Sequence, residues 1–186
     1  SELKKNVDTV VFIAVGRLCY AKNFSMLAHA FSKLEDYNAI LLIIGTDITK
    51  EKKYENEIKR YKSKNSFLLG AKSNVADYLN YADAFCISSH HEGMPISVLE
   101  AMSLGLPIIT TPAGGMIDMV KNKINGFISN EFSLVSYINI LEDFLKLGTK
   151  GLQKIHQNNL DKFNNNYSIK ICASNHKVLY EKFMKK

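Results

Sequence analysis

Arginine occurs at only two positions in this lysine-rich chain, Arg17 and Arg60. The first lies in the segment Gly16-Arg17-Leu18-Cys19-Tyr20-Ala21-Lys22-Asn23. A guanidinium offers a planar fork that matches phosphate oxygens, and an ammonium offers a mobile point charge. Asn23 is a good helix-capping residue, and a helix starting there turns its positive end toward the same spot. Two cations and a helix start make an anion site. Taken alone, the same residues also fit two solvated cations beside a turn.

A second segment, Ser88-Ser89-His90-His91-Glu92-Gly93-Met94-Pro95-Ile96-Ser97-Val98-Leu99-Glu100, carries complementary chemistry. Gly93 lets the backbone approach a ligand closely. Pro95 suits the start of a helix, so the amides of Ile96 and Ser97 lie free at an N-terminus, which favours phosphate. Glu100 follows about one turn later. Helical Cβ atoms tilt toward the N-terminus, so its carboxylate can reach back toward a ligand there. A carboxylate cannot hold phosphate, but it is suited to accept hydrogen bonds from sugar hydroxyls. A lone glutamate would equally serve as a cap or a solvated charge. His90-His91-Glu92 does not read as a metal site: adjacent histidines in a loop point apart, and no further ligand has suitable spacing. A third segment, Thr110-Thr111-Pro112-Ala113-Gly114-Gly115-Met116-Ile117-Asp118, holds a Gly-Gly pair that permits close backbone approach or simply a tight turn. No GxGxxG fingerprint follows the first strand, and no Walker-type loop is present.

The elements that position these segments can be read from hydrophobic patterning. Continuous apolar runs occur at Val10–Val15, Ala39–Ile44, Phe67–Leu69, Ala84–Ser88, Pro107–Thr111 and Gly126–Ile128. They are not polar on one side, so they read as strands of a parallel sheet covered on both faces. Helical patterns lie between them, at Phe24–Leu34, around Tyr54, Ile58 and Tyr61, around Val75–Ala82, and at Ile96–Leu104. Alternation of this kind predicts an α/β fold: a Rossmann-like, doubly wound parallel sheet of about six strands. The first and fourth strands should be neighbours, so the first two segments flank one crevice. From residue 132 onward only helices are expected: Phe132–Leu147, residues 151–163, a polar break at Asn164–Asn166, and Ile169–Met184.

Of the 186 residues, 46% are hydrophobic and 23% charged, which fits one ordinary globular core and excludes disordered, collagen-like and coiled-coil classes. No apolar run approaches the roughly 20 residues of a membrane span. The three cysteines, Cys19, Cys86 and Cys172, are too few and too scattered for a disulfide framework, which fits a reducing, cytoplasmic compartment. The net charge is +6, and residues 150–186, with eight lysines against two acids, account for all of it. The body is therefore balanced and carries no sign of nucleic-acid binding.

In order along the chain, GRLCYAKN, then NVADYLNYADAFCISSHHEGMPISVLEAMSLGLPIITTPAGG, then KINGFI resemble the C-terminal, donor-binding half of a retaining glycosyltransferase of the GT-B fold, glycosyltransferase family 4. The combination of Glu92-x7-Glu100 with Ala-Met, Gly-Leu-Pro and Gly-Gly is specific. The resemblance implies transfer of a sugar from a nucleotide-diphosphate-sugar to an acceptor hydroxyl with retention, by front-face attack, in polysaccharide or glycolipid synthesis. It implies catalytic roles for Glu92, Arg17 and Lys22, with no metal and no cofactor. The implied donor site is Gly16, Arg17, Lys22, Glu92, Gly93, Met94, Pro95, Ile96, Ser97 and Glu100. Arg17 and Lys22 would hold the diphosphate, helped by the Ile96 and Ser97 amides. Glu92, with the backbone of Gly93 and Met94, would sit by the transferred sugar, and Glu100 by the ribose. The base would lie near Gly70–Val75. Two departures stand out: Gly45-Thr46-Asp47 replaces a GxG-like turn after the second strand, and Asp118 stands where Glu is common.

The resemblance assigns residues 1–150 to the Rossmann-like nucleotide-sugar-binding domain and 151–186 to its helical tail. The first strand-like run already begins at Val10, so the N-terminal acceptor domain of such enzymes is not expected in this sequence, and the fragment alone is expected to bind donor but to be inactive in transfer. That domain is the implied partner. The tail, basic and striped by Ile169, Cys172, Leu179 and Phe183, reads as an arm bracing it, or alternatively as an anionic-membrane contact at the inner face. Two other readings are a nucleotide-sugar 2-epimerase and a non-catalytic nucleotide-binding scaffold.

Overall fold

The apolar runs leave no polar side to give to water, and the fold covers both of their faces. In β1 (Val10–Val15), Phe12 and Ala14 enter one core while Val11 and Ile13 enter the other. In β2 (Ala39–Ile44), Leu41 and Ile43 divide from Leu42 and Ile44 in the same way. The computed structural model describes residues 9–61 and 63–184. Its sheet also contains β3 (Ser66–Leu68), β4 (Ala84–Ile87), β5 (Ile108–Thr110) and β6 (Gly126–Ile128), in the order β3-β2-β1-β4-β5-β6. All five pairings are parallel. This is the expected doubly wound, Rossmann-like sheet. The order turns back between β1 and β4, where open sheets of this kind leave a crevice at their carboxyl edge.

One face is covered by α1 (Phe24–Phe31), α2 (Lys53–Lys59) and α6 (Leu134–Leu145), through Leu27, Phe31, Ile58, Tyr137, Leu141 and Phe144. Phe12 sits between Phe31 and Phe144 in edge-to-face contacts of 5.0 and 5.2 Å. The other face is covered by α3 (Val75–Asn80), α4 (Ile96–Ser103) and α5 (Met116–Met119), through Leu79, Val98, Ala101, Met102, Met116 and Met119. One expectation fails at the sheet's end. The run containing Phe67 is not buried on both faces: β3 is an edge strand, and Phe67 is 36% exposed.

The helix α7 (Thr149–Asn166) is longer than expected. The expected break at Asn164–Asn166 does not occur. Asn166 donates its side-chain amide to the Lys162 carbonyl, and the helix closes at Tyr167, whose N–H reaches the Phe163 carbonyl at 2.9 Å. Asparagine is a weak helix former, but here tertiary packing decides. Ile155 lies in the first core, and Phe163 and Tyr167 pack on the second.

Between them stands Asn159, fully buried. Its amide donates to the carbonyls of Leu106 (3.0 Å) and Asn125 (2.7 Å), while its oxygen accepts from the Asn125 amide at 3.1 Å. Asn125 also donates to the Met119 carbonyl and accepts from the Lys121 N–H. Both amides are satisfied, so this polar pair anchors α7 without an orphaned group. The last helix, α8 (Ile169–Met184), buries none of its residues, and Ile169 is 87% exposed.

Asn159→Ala should unfold the chain more easily, by about 2–4 kcal/mol, because it strands two carbonyls and one side of the Asn125 amide. For a chain of this size that is a fall in Tm of roughly 5–15 °C. A thermal melt within a degree of wild type would show that the pair does not anchor α7.

Candidate functional site

Parallel pairing of β1 with β4 brings the two charged segments to one edge. Lys22 Nζ lies 2.6 Å from Glu92 Oε1, with the side chains 22% and 10% exposed. The segments are fastened through their backbones as well. His90 N–H donates to the Ala21 carbonyl at 2.8 Å, and the buried Ser88 hydroxyl reaches the carbonyls of Lys22 and Asn23 at 2.9 and 3.0 Å. The two segments meet as expected, and an ion pair joins them.

The first segment is more structured than expected. Tyr20–Lys22 forms a 3-10 turn, and Asn23 at its end takes a left-handed conformation, φ 47°. Asn23 stands at the start of α1 as expected but does not cap it with its side chain, whose Oδ1 accepts from the Ser25 hydroxyl instead. The short turn sets the backbone at that junction. Gly16 leaves room for the Lys22 stem: a Cβ there would lie 3.2 Å from Lys22 Cε. Arg17 is exposed and makes no hydrogen bond or ion pair among the described residues. Its charge is available at the same loop.

In the second segment Glu92 Oε1 also accepts from the Ser89 hydroxyl at 2.6 Å. Pro95, buried, precedes α4 with an extended backbone. Among the described residues the amides of Ile96 and Ser97 carry no hydrogen bond, so they are donors offered at a helix start. Gly93, Met94 and Ile96 are exposed at this edge. Glu100 is exposed too, and its carboxylate contacts neither Arg17 nor Lys22. His90 stacks on Tyr20 with ring centroids 4.7 Å apart. Gly70–Val75 leads from β3 to α3 at the same edge of the sheet.

The Gly-Gly pair of the third segment has a definite task. Gly115 N–H donates to the Glu92 carbonyl at 2.9 Å. A methyl at Gly114, which has φ 48°, would strike the Glu92 carbonyl, and one at Gly115 would strike that of Gly93. Only glycines let this turn press against the Glu92-Gly93 backbone.

Asp47 is a site residue of a different kind. Its buried carboxylate accepts from the Thr49 N–H and hydroxyl and from the N–H groups of Tyr54 and Glu55, in the first turn of α2. Burial pushes its pKa up, but these hydrogen bonds outweigh that and hold it down at about 2. Its oxygens are committed to the fold, so the Gly45-Thr46-Asp47 turn is a helix cap. Sequence spacing hid this, because the cap reaches past an intervening turn. A cavity of about 320 Å³ lies nearby, between the starts of α1 and α2, lined by Leu18, Tyr20, Asn23, Ser25, Tyr54 and Glu57 among others. It includes neither Lys22 nor Glu92 and stands beside the crevice.

Comparison with known proteins adds three findings. The family model described as Glycosyl transferases group 1 matches residues 1–162. Among curated proteins, the chain is 33% identical over 144 residues to the UDP-Gal:alpha-D-GlcNAc-diphosphoundecaprenol alpha-1,3-galactosyltransferase of Escherichia coli, covering 75% of this chain and 37% of that protein. It is 25% identical over 184 residues to the N,N'-diacetylbacillosaminyl-diphospho-undecaprenol alpha-1,3-N-acetylgalactosaminyltransferase of Campylobacter jejuni, covering 97% of this chain and 47% of that protein. Among solved structures, the Anabaena protein HepE in complex with UDP and glucose superposes with a TM-score of 0.83 at 19% identity, over 93% of this chain and 48% of HepE. The chain thus spans less than half the length of each of these proteins.

Because the Asp47 pKa is lowered, its contribution to stability is fully present above about pH 4 and is lost as the pH falls through about 2. Asp47→Asn should lower Tm at pH 7 and flatten the loss of stability between pH 4 and 2. Identical pH–Tm profiles for the two proteins would contradict the capping role.

Proposed function

The chain belongs to the glycosyl transferases group 1 family, and on that premise we propose that it is the donor-binding part of a retaining glycosyltransferase that uses a nucleotide-diphosphate-sugar. The observation that carries this reading is the Lys22–Glu92 contact where the β1 and β4 loops meet, with Arg17 in the same loop and two amides at the start of α4 that have no partner among the described residues. A cation pair and a helix N-terminus supply what a leaving diphosphate needs: preset positive potential where negative charge develops. Arg17 and Lys22 meet that charge, and the transferred sugar lies by Glu92, Gly93 and Met94. Glu100 receives the ribose, and the base lies toward Gly70–Val75. The HepE complex with UDP and glucose supports a nucleotide donor on this fold, and both named relatives support a diphosphate-linked lipid acceptor.

A second domain supplies the acceptor site in this reading. The uncovered apolar residues of α8, among them Ile169, Leu179 and Phe183, pack against it. No helix of the described residues is long and apolar enough to cross a membrane. Cys19, Cys86 and Cys172 are all free thiols, which supports a reducing, cytoplasmic setting.

Calorimetry of the chain with UDP, GDP and ADP tests the donor site. One of them should bind, and Arg17→Ala should weaken it about tenfold, the worth of a charged hydrogen bond. Lys22→Ala should weaken it more, because it also leaves the Glu92 carboxylate unpaired against the diphosphate. Wild-type affinity in both variants, or no binding of any nucleoside diphosphate at millimolar concentration, would sink the reading in favour of a scaffold.

A further inference from the structure

The two oxygens of Glu92 are not equivalent. Oε1 takes both the Lys22 ammonium and the Ser89 hydroxyl, each at 2.6 Å. Oε2 has no partner among the described residues. Yet no buried side-chain oxygen or nitrogen among those residues lacks a partner, so Oε2 is not buried and opens to solvent. A carboxylate mostly enclosed by protein is thus anchored through one oxygen and leaves the other within reach of solvent.

From this we infer that Ser89 is a positioning residue: it fixes Glu92 through Oε1 so that Oε2 is presented to a hydroxyl of the transferred sugar. The inference rests on the donor-site reading above and gives it a moving part. When a diphosphate draws Lys22 toward its own oxygens, Glu92 loses one of its two anchors. Ser89 is the anchor that no ligand competes for. It is itself held from behind: its side chain is buried, and its carbonyl accepts from the buried Thr111 hydroxyl at 2.6 Å. Thr111 follows β5, so the carboxylate is referred to the neighbouring strand and not to a free loop. The same Gly115 N–H that holds the Glu92 carbonyl keeps the backbone in register with that support.

A hydroxyl that points a carboxylate has an effect separable from one that merely stabilises the fold. Ser89→Ala removes only the Oγ–Oε1 bond, because the Thr111 hydroxyl binds the Ser89 backbone carbonyl, which the variant keeps. The experiment is a calorimetric comparison of wild type, Ser89→Ala and Ser89→Thr. Each is titrated with whichever of UDP, GDP or ADP binds wild type and with the glucose, galactose and N-acetylhexosamine esters of that nucleotide. In wild type at least one ester should bind more tightly than the bare diphosphate. In Ser89→Ala that added affinity should fall about five- to tenfold, as expected for one lost charged hydrogen bond, with bare-diphosphate affinity unchanged within twofold. Ser89→Thr, which keeps the hydroxyl, should restore it.

An equal loss for ester and bare diphosphate would overturn the inference, since Ser89 would then support the loop as a whole. So would wild-type behaviour of Ser89→Ala, or the absence of any ester that outbinds the bare diphosphate. Failure of every nucleoside diphosphate to bind wild type would instead strike the donor-site reading itself.

Discussion

Phe12 lies opposite Ala84 and Ile13 opposite Phe85, and on that short parallel register the crevice depends. β1 and β4 are joined through two intervening strands and three helices, so nothing local places Lys22 near Glu92. The pairing does, together with the backbone staples from Ser88 and His90 that extend it past the ends of the strands. Once the two loops are joined, the electrostatics follow. A lysine and a glutamate meet where solvent is partly excluded, so their contact is stronger than an exposed pair. Arg17 lies outside that contact and has no ion-pair partner among the described residues. The start of α4 adds two amide donors that have no partner among the described residues.

Much of this was legible in the sequence because the signals were redundant. Runs such as VVFIAV and AILLII have no polar face, which in a chain of alternating elements points to covered parallel strands; six parallel strands came out in the expected order, with only the Phe67 run left as a partly exposed edge. Pro95 marked the start of α4. The pairing of the two charged segments followed from topology alone. Arg17 and Glu100 are both exposed, and neither side chain has a hydrogen-bond or ion-pair partner among the described residues.

What the sequence hid has a common physical form: polar side chains whose partners are far away along the chain. Asn159 looks like one more amide in a polar helix, and Asn125 like a turn residue in KINGFI. Only the fold shows them buried against each other, 34 residues apart. Asp47 reads as a loop acid until α2 is seen to begin beneath it. Asn164–Asn166 reads as a break because local propensity says so, while Phe163 and Tyr167 on the core keep the helix going. Glu92 itself is the most telling case. Its position in the motif suggested a ligand contact, but the asymmetry between its oxygens depends on Ser89, Lys22 and Thr111 together, from three different strand ends.

The central claim is that the Lys22–Glu92 crevice receives a diphosphate. A crystal structure of the chain with a bound nucleoside diphosphate tests it most directly. Phosphate oxygens should lie within hydrogen-bonding distance, about 2.7–3.2 Å, of Lys22 Nζ and of the Ile96 and Ser97 amides, with Arg17 turned toward them. A diphosphate seated instead in the neighbouring cavity between α1 and α2, with Lys22 still on Glu92 and the α4 amides facing water, would contradict it.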